Sequence, residues 1–484
     1  MMRLLRVSLL LFWGWRALAF VTEPSVSSRT STVDSKSAFS LSNQPWRRRE
    51  NLQHDKILPT RSNCHVSTTT ALAMSLSTST VAIDENASRE VGGFEEWAVA
   101  CGVQVADGFQ LMAASEDPYL DVGVCTSMDL PKDAPVLFVP NEMTLSANRA
   151  KEELGQIVDA EDLFVQLNAY DQVQRFYLFL KILREYELGD QSPWYPWMNS
   201  LPRYFSTGAS MTHYCCTECL PPLVGSLALK EKTRFKQFFK ALDFCNSVSP
   251  ETRGNKELAK WAYNVCLTRS FQDGHGDYKI APMADMFNHD STYEIQGRYD
   301  EEGNFFATTI YDVPAGSPLR MSYTAGDNSN PSFLFARYGF LDHSSPATFC
   351  KILIPNPSPQ LIEMGYNPSR MLFYKETGDV SQEVWDVLLY QILEASNNAE
   401  QLQALYQAHM SGDEQTKQAI HDEHYGETLT ALRNHVDSFL VQLDELSTKA
   451  QGRDLNVHPR LPLILQHNQF VKETFLRVQA NLNQ

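Results

Sequence analysis

Apolar and polar positions run along this chain in blocks, and each block predicts a different kind of element. Residues 1–19, MMRLLRVSLLLFWGWRALA, place arginines ahead of an apolar run that is too short to span a bilayer comfortably. The stretch FEEWAVACGVQV reads as a helix over about 94–101 that runs into short strands. Val136, Leu137, Phe138 and Val139 form a continuous apolar run closed by Pro140, which predicts a buried strand. Residues 150–270 then turn helical. In VQRFYLFLKILREYELG, Phe176, Leu180 and Leu183 share one face and Gly189 supplies the stop. WYPWMNSLPRYF reads as a Pro-broken loop, and helix resumes at LALKEKTRFKQFFKALDFC and KELAKWAYNVCLTRSF. GNFFATTIYDV, PAGSP and LRMSY predict strand, turn and strand. Beyond about residue 345 the pattern becomes long helices: SQEVWDVLLYQILEAS, AEQLQALYQAHMSG, GETLTALRNHVDSFLVQLDELSTKA and ETFLRVQANLNQ. Strands, a helical insertion, more strands and a helical tail predict an α+β domain followed by an all-α one. The expected bounds are 89–345, with the insertion at about 150–265, and 346–484.

A chain of 484 residues, 43% hydrophobic and 11% aromatic, can bury a large core and has the length of two or three domains. Its net charge of −17 is unevenly distributed: residues 1–83 hold 10 Lys/Arg against 4 Asp/Glu, leaving 31 against 54 for the rest. An acidic body opposes binding to a phosphate backbone, so no nucleic acid partner is expected. Nine irregularly spaced cysteines fit reduced thiols better than a disulfide framework. CCTEC contains one Cys-x-x-Cys pair, Cys216 and Cys219, but no second pair follows at ligand spacing, so no metal is expected.

The N-terminus reads as an address. Residues 1–19 end in the small-residue pattern Ala17-Leu-Ala19 of a signal peptide. Residues 20–88, rich in Ser and Thr and poor in acids, lack the apolar surface to repay ordering and are expected to be disordered. With Phe20 after the expected cut, the pair of segments resembles the bipartite presequences of algae with complex plastids. That implies delivery to the plastid stroma; the alternative is a secreted protein with a Ser/Thr-rich leader. The processed chain is expected to be a monomer without a membrane partner.

The candidate chemistry is concentrated in APMADMFNHD, where Asp285, Asn288 and His289 interrupt an apolar run. Singly, they read as a cap or ion pair, a turn residue and a core histidine. Together they call for partners, since each buried polar group left unpaired costs about 1–3 kcal/mol. Asn supplies a donor and an acceptor and His one of each, which suits a ligand with an amine and a carboxylate. MSYTAGDNSNPSFLFARYGFLD adds Tyr323 at a strand end and Tyr338, a pair of phenols suited to positioning an amine.

LTRSF, which carries Arg269, then APMADMFNHD, then MSYTAGDNSNPSFLFARYGFLD, with helices after them, resemble the SET-domain protein methyltransferases of the Rubisco large-subunit lysine methyltransferase type. LDVGVCTSMDLPKDAPVLFVP resembles that family's first motif and WYPWMNSLPRYFSTGASM part of its helical insertion. The resemblance covers roughly residues 94–480. It implies a SET β-fold interrupted by helices, followed by an all-α substrate-binding-type domain, and lysine methylation of a protein substrate with S-adenosyl-L-methionine. It further implies that Leu120, Asp121 and Val122, with Asn288 and His289, hold the cofactor, while Arg269 touches both cofactor and substrate. Asp273, Asp285, Tyr293, Tyr323 and Tyr338 become substrate contacts and Tyr323 the catalytic residue. The family's Gly-x-Gly is altered here, since Asp121 replaces the first glycine and only Gly123 remains; Asp is among the residues that tolerate positive φ. The segment after Tyr323 is also slightly longer than the family pattern. Two other readings stay open: a histidine acceptor on the same fold, and a catalytically silent protein-binding module.

Overall fold

The computed structural model describes residues 79–113, 122–323, 331–349, 352–354 and 356–484. The signal and transit-type segments up to residue 78, and the expected cofactor contacts Leu120 and Asp121, lie outside the described residues.

Thirteen short strands form small sheets among the described residues. Helix α1 (Gly92–Ala100) leads into β1 (Gln104–Val105), β2 (Phe109–Ala113), β3 (Val122–Thr126), β4 (Pro135–Val139) and β5 (Leu145–Ser146). After the helices of the insertion come β6 (Phe271–Gln272), β7 (Tyr278–Ile280), β8 (Asn288–His289), β9 (Ile295–Tyr299), β10 (Phe305–Thr309) and β11 (Pro318–Met321). One sheet has the order β1-β4-β10-β9, a second β2-β3-β11-β8, and a third β5-β7-β6. The apolar run at 136–139 is the interior strand β4, with Val136, Leu137 and Val139 fully buried. In β10 the burial alternates, with Phe305, Ala307 and Thr309 inside, as expected for a strand with one face on the core.

The insertion consists of α2 (Ala147–Leu154), α3 (Val158–Gln166), α4 (Val173–Leu188), α5 (Tyr195–Ser200), α6 (Pro222–Ala241), α7 (Pro250–Gly254) and α8 (Lys256–Arg269). In α4, Phe176, Leu180 and Leu183 are buried together with Phe179 on the same face, but so are Leu178 and Ile182, which point to the opposite side of the helix. The helix is covered on more than one side, by α2 and by α8. It ends at Gly189, whose φ of 55° suits a residue without a side chain. WYPWMNS, expected to be a loop, is the helix α5. Its proline occupies the first turn, where the missing N–H has no intrahelical partner to lose. CCTEC forms a short π-helix, Cys215–Cys219, and no group of three or more metal-ligating side chains is present among the described residues.

After α9 (Pro331–Tyr338) the chain departs from the all-helical expectation. Strand β12 (Ala347–Phe349) and, after α10 (Pro359–Glu363), strand β13 (Leu372–Tyr374) pair antiparallel. The remaining helices are α11 (Gln382–Ala395), α12 (Ala399–Ser411), α13 (Glu414–Glu423), α14 (Tyr425–Ala450) and α15 (Leu461–Leu482). They have their own core, built on residues such as Val384, Leu389, Leu432, Val436 and Phe475. A third apolar cluster joins the insertion to α15 through Met211, Val224, Phe335, Leu461 and Ile464. Among the described residues no helix is long and apolar enough to cross a membrane.

Candidate active site

The segment after β7 reverses direction in a few residues. Pro282 offers no N–H, and Met283 adopts φ 72°, an uncommon left-handed conformation for a side chain that is fully buried. A 3-10 turn over Ala284–Met286 follows, and the chain then enters β8. Strand β8 pairs parallel to β11, Asn288 opposite Arg320 and His289 opposite Met321. A motif that is compact in sequence is thereby split: Asp285 lies in the turn, and Asn288 and His289 lie on the sheet.

Asp285 is buried at 3% exposure, and its carboxylate accepts a 2.9 Å hydrogen bond from the Trp197 indole N–H of α5. Arg269, buried at the end of α8, donates to the Asp285 carbonyl. The insertion therefore grips the turn from two helices. Asp285 was expected to line a channel; this bond engages its carboxylate with the insertion.

Asn288 reaches across β11 to β3. A Cβ placed on Gly123 would lie 2.9 Å from Asn288 Nδ2, so that strand position admits no side chain while the amide stays there. Gly123, the glycine retained from the first motif, thus faces the Asn288 amide, while the neighbouring Val122 turns its side chain to the opposite, buried face of β3.

His289 is held at both ring nitrogens. The backbone N–H of Tyr323 donates to Nδ1 at 3.0 Å, and Nε2 lies 3.2 Å from a carboxylate oxygen of Asp342. Tyr323 sits two residues beyond the end of β11, and its hydroxyl donates to the Phe287 carbonyl at 2.7 Å. Around its ring stand Tyr338 at 4.8 Å, His289 at 5.4 Å, Phe271 at 6.0 Å and Phe340 at 6.2 Å between centroids. With its proton directed to a carbonyl, the phenol oxygen presents lone pairs to a donor such as an amine N–H.

Asp273 and Tyr293 take no part in the ring cluster around Tyr323 among the described residues. The Asp273 carboxylate accepts from the backbone N–H groups of His275 and Asp277, each at 2.9 Å, and pairs with Lys279 at 2.9 Å. Burial alone would raise its pKa, but Lys279 and those N–H groups hold it below the usual carboxylate range. It organises the β6–β7 turn. Tyr293 lies half-buried before β9, and among the described residues no ring contact ties it to the Tyr323 cluster.

Sequence reasoning missed Trp197, Phe271, Phe340 and Asp342. Asp342 is 5% exposed; burial would raise its pKa, but His289, Ser344 and Ser291 together pull it well below the ordinary range. Its position four residues after Tyr338 was the available signal, and nothing local distinguishes it from a loop acid.

No sequence model of a known family matches the chain, and no curated protein matches it. Solved structures do. The SET domain of LSMT bound to lysine and AdoHcy superposes with a TM-score of 0.55 at 15% identity, covering 81% of this chain and 90% of that one. The fold is that of a SET domain. Rubisco LSMT bound to AdoMet gives a TM-score of 0.55 at 16% identity, over 82% of this chain and 92% of its own. Rubisco LSMT bound to sinefungin and monomethyllysine gives 0.55 at 15% identity, over 81% and 90%. At such identities the likeness establishes the SET fold with its C-terminal helical region.

Proposed function

We propose that the chain is an S-adenosyl-L-methionine-dependent methyltransferase that acts as a monomer on a lysine side chain of a protein substrate, in the plastid stroma. The observation that carries this reading is Tyr323: it is anchored at its N–H and at its hydroxyl, ringed by aromatic side chains, and adjacent through His289 to the strand that bears Asn288. The similar SET-fold structures that bind AdoMet, AdoHcy and lysine support the same assignment.

The Asn288 amide packs directly against the side-chain-free Gly123, and together they form a surface on which a cofactor would lie close to backbone. Val122, Gly123, Asn288 and the His289 backbone would hold it, with Arg269 bound to the Asp285 carbonyl of the adjoining turn. When bound, the cofactor supplies an electrophilic methyl carbon on a sulfonium.

The protein's task is to present a neutral amine. A free lysine with pKa about 10.4 costs about 4.6 kcal/mol to deprotonate at pH 7. Aromatic walls from Phe271, Tyr338 and Phe340 disfavour the ammonium by excluding water. The Tyr323 oxygen accepts a hydrogen bond from the amine and fixes its direction, and such alignment is worth several kcal/mol. Tyr323 therefore orients the nucleophile rather than acting as a strong base.

The test is to incubate the purified mature chain and methyl-labelled S-adenosyl-L-methionine with a stromal extract and map the label by mass spectrometry. Label on lysine supports the proposal. Label on histidine transfers the assignment to the other acceptor, and cofactor binding without label, seen by calorimetric titration, leaves the silent binding module.

A further inference from the structure

The hydrogen bonds of His289 define the state of its ring. Nδ1 faces a backbone N–H, so it carries no proton and serves as an acceptor. The ring proton is then on Nε2, directed at Asp342. Both nitrogens are engaged within the protein, so what His289 offers a ligand is its strand backbone, and its ring serves Tyr323. That service matters because Tyr323 lies two residues past the end of β11, and the imidazole is the acceptor of its N–H there.

Asp342 is itself immobilised. The oxygen that faces His289 also accepts from the Ser291 hydroxyl at 2.8 Å. Its other oxygen accepts the backbone N–H groups of Ser344 at 3.0 Å and Ser345 at 3.1 Å, together with the Ser344 hydroxyl. The loop is pinned from outside by His343, whose ring meets Phe470 of α15 edge-on at 5.6 Å.

We propose that Asp342 is a positioning residue: by fixing the proton of His289 on Nε2, it holds the Tyr323 backbone, and hence the phenol, in register for methyl transfer. The role rests on the function proposed above, but the state of the ring does not, and the two can be tested separately. The plain alternative is that Asp342 only shapes the 342–345 turn.

Asp342→Asn separates them. It keeps an oxygen for the Ser344 and Ser345 N–H groups and turns an amide donor toward the Nε2 proton, reversing the polarity at His289. Side-chain nitrogen NMR of the cofactor-free protein, with the His289 signal identified by its loss in His289→Gln, should show the Nε2–H tautomer in wild type and its loss in Asp342→Asn. In the methyl-transfer assay, kcat of Asp342→Asn should fall on the order of 10- to 100-fold with cofactor KM nearly unchanged. His343→Ala, which removes the ring contact to Phe470 that pins the loop and leaves the side-chain hydrogen bonds of Asp342 and His289 in place, should retain kcat.

An Nδ1–H tautomer in wild type overturns the proposal whether or not the variant folds. Wild-type kcat in Asp342→Asn, or an equal loss in His343→Ala, also overturns it. Absence of methyl transfer by wild type, with the tautomer as expected, counts against the proposed function and leaves the ring assignment standing.

Discussion

Around His289, polar atoms are handed from one group to the next: Asp342 to the imidazole, the imidazole to the Tyr323 backbone, the Tyr323 hydroxyl to Phe287. The C-terminal helices treat an imidazole differently. His435 of α14 lies among Phe373, Phe439 and Phe475, stacked on Phe439 at an interplanar angle of 10°, and its Nε2 is buried with no hydrogen-bond partner among the described residues. Burial pushes its pKa down to about 4. The same side chain is an orientation device in one region and an aromatic packing element in the other. The C-terminal region also holds a buried ionic group: Asp386 of α11 accepts from Lys417 at 2.6 Å and lies 2.8 Å from His421, both on α13. That group ties α13 to α11. The comparison teaches that a buried polar network marks a candidate site only when it ends on a group able to meet a ligand, as the Asp342 chain ends on the Tyr323 oxygen.

Four measurements test this contrast. The largest effect is expected at the end of the network. Tyr323→Phe should lower methyl transfer on the order of 100-fold or more while cofactor binding changes little, and wild-type turnover in single-turnover assays would remove the tyrosine from the mechanism. In the C-terminal region, Asp386→Ala strands the buried Lys417 without its counter-charge and should cost about 3–5 kcal/mol in urea unfolding; a loss under about 1 kcal/mol would make the pair dispensable.

A smaller, pH-dependent effect is expected from His435. Its folded pKa lies below its unfolded value of 6.5, so between those two values the unfolded chain binds more protons and stability falls as pH drops. The loss from pH 7 to pH 4 should approach about 3 kcal/mol. His435→Phe should flatten this part of the pH profile, and an unchanged slope would show that the imidazole is hydrated. Gly123→Ala should have the smallest effect, since Asn288 has to yield by a fraction of an ångström. Cofactor affinity by calorimetric titration should weaken about 10-fold, equivalent to about 1.4 kcal/mol; unaltered affinity would place the cofactor elsewhere.

The legible parts of the sequence were those with local causes. The apolar run at Val136–Val139 announced β4, and Gly189 ended α4 where the periodic pattern stopped. Pro196 misled, because a proline that breaks a helix interior is harmless in a first turn, and the two cannot be told apart before the helix start is known. Strands β12 and β13 were missed because each is three residues long and pairs with a segment some 25 positions away. The cluster Asp285, Asn288 and His289 was visible as a cluster, yet its division between a turn and a strand was not, since that depends on Met283 adopting a positive φ that its residue type disfavours.

The sequence by itself determined the order of strands, insertion and helical tail, and placed an amide, an imidazole and two phenols in apolar surroundings, because hydrophobic periodicity and turn chemistry act over a few residues. Only the tertiary structure decided which of those groups meet. Trp197 and Asp285 are 88 residues apart, His289 and Asp342 are 53 apart, and His289 and Tyr323 are 34 apart. Such pairs leave no periodic trace in the chain; they exist because a parallel strand pair and the packing of the insertion bring their elements within hydrogen-bond reach.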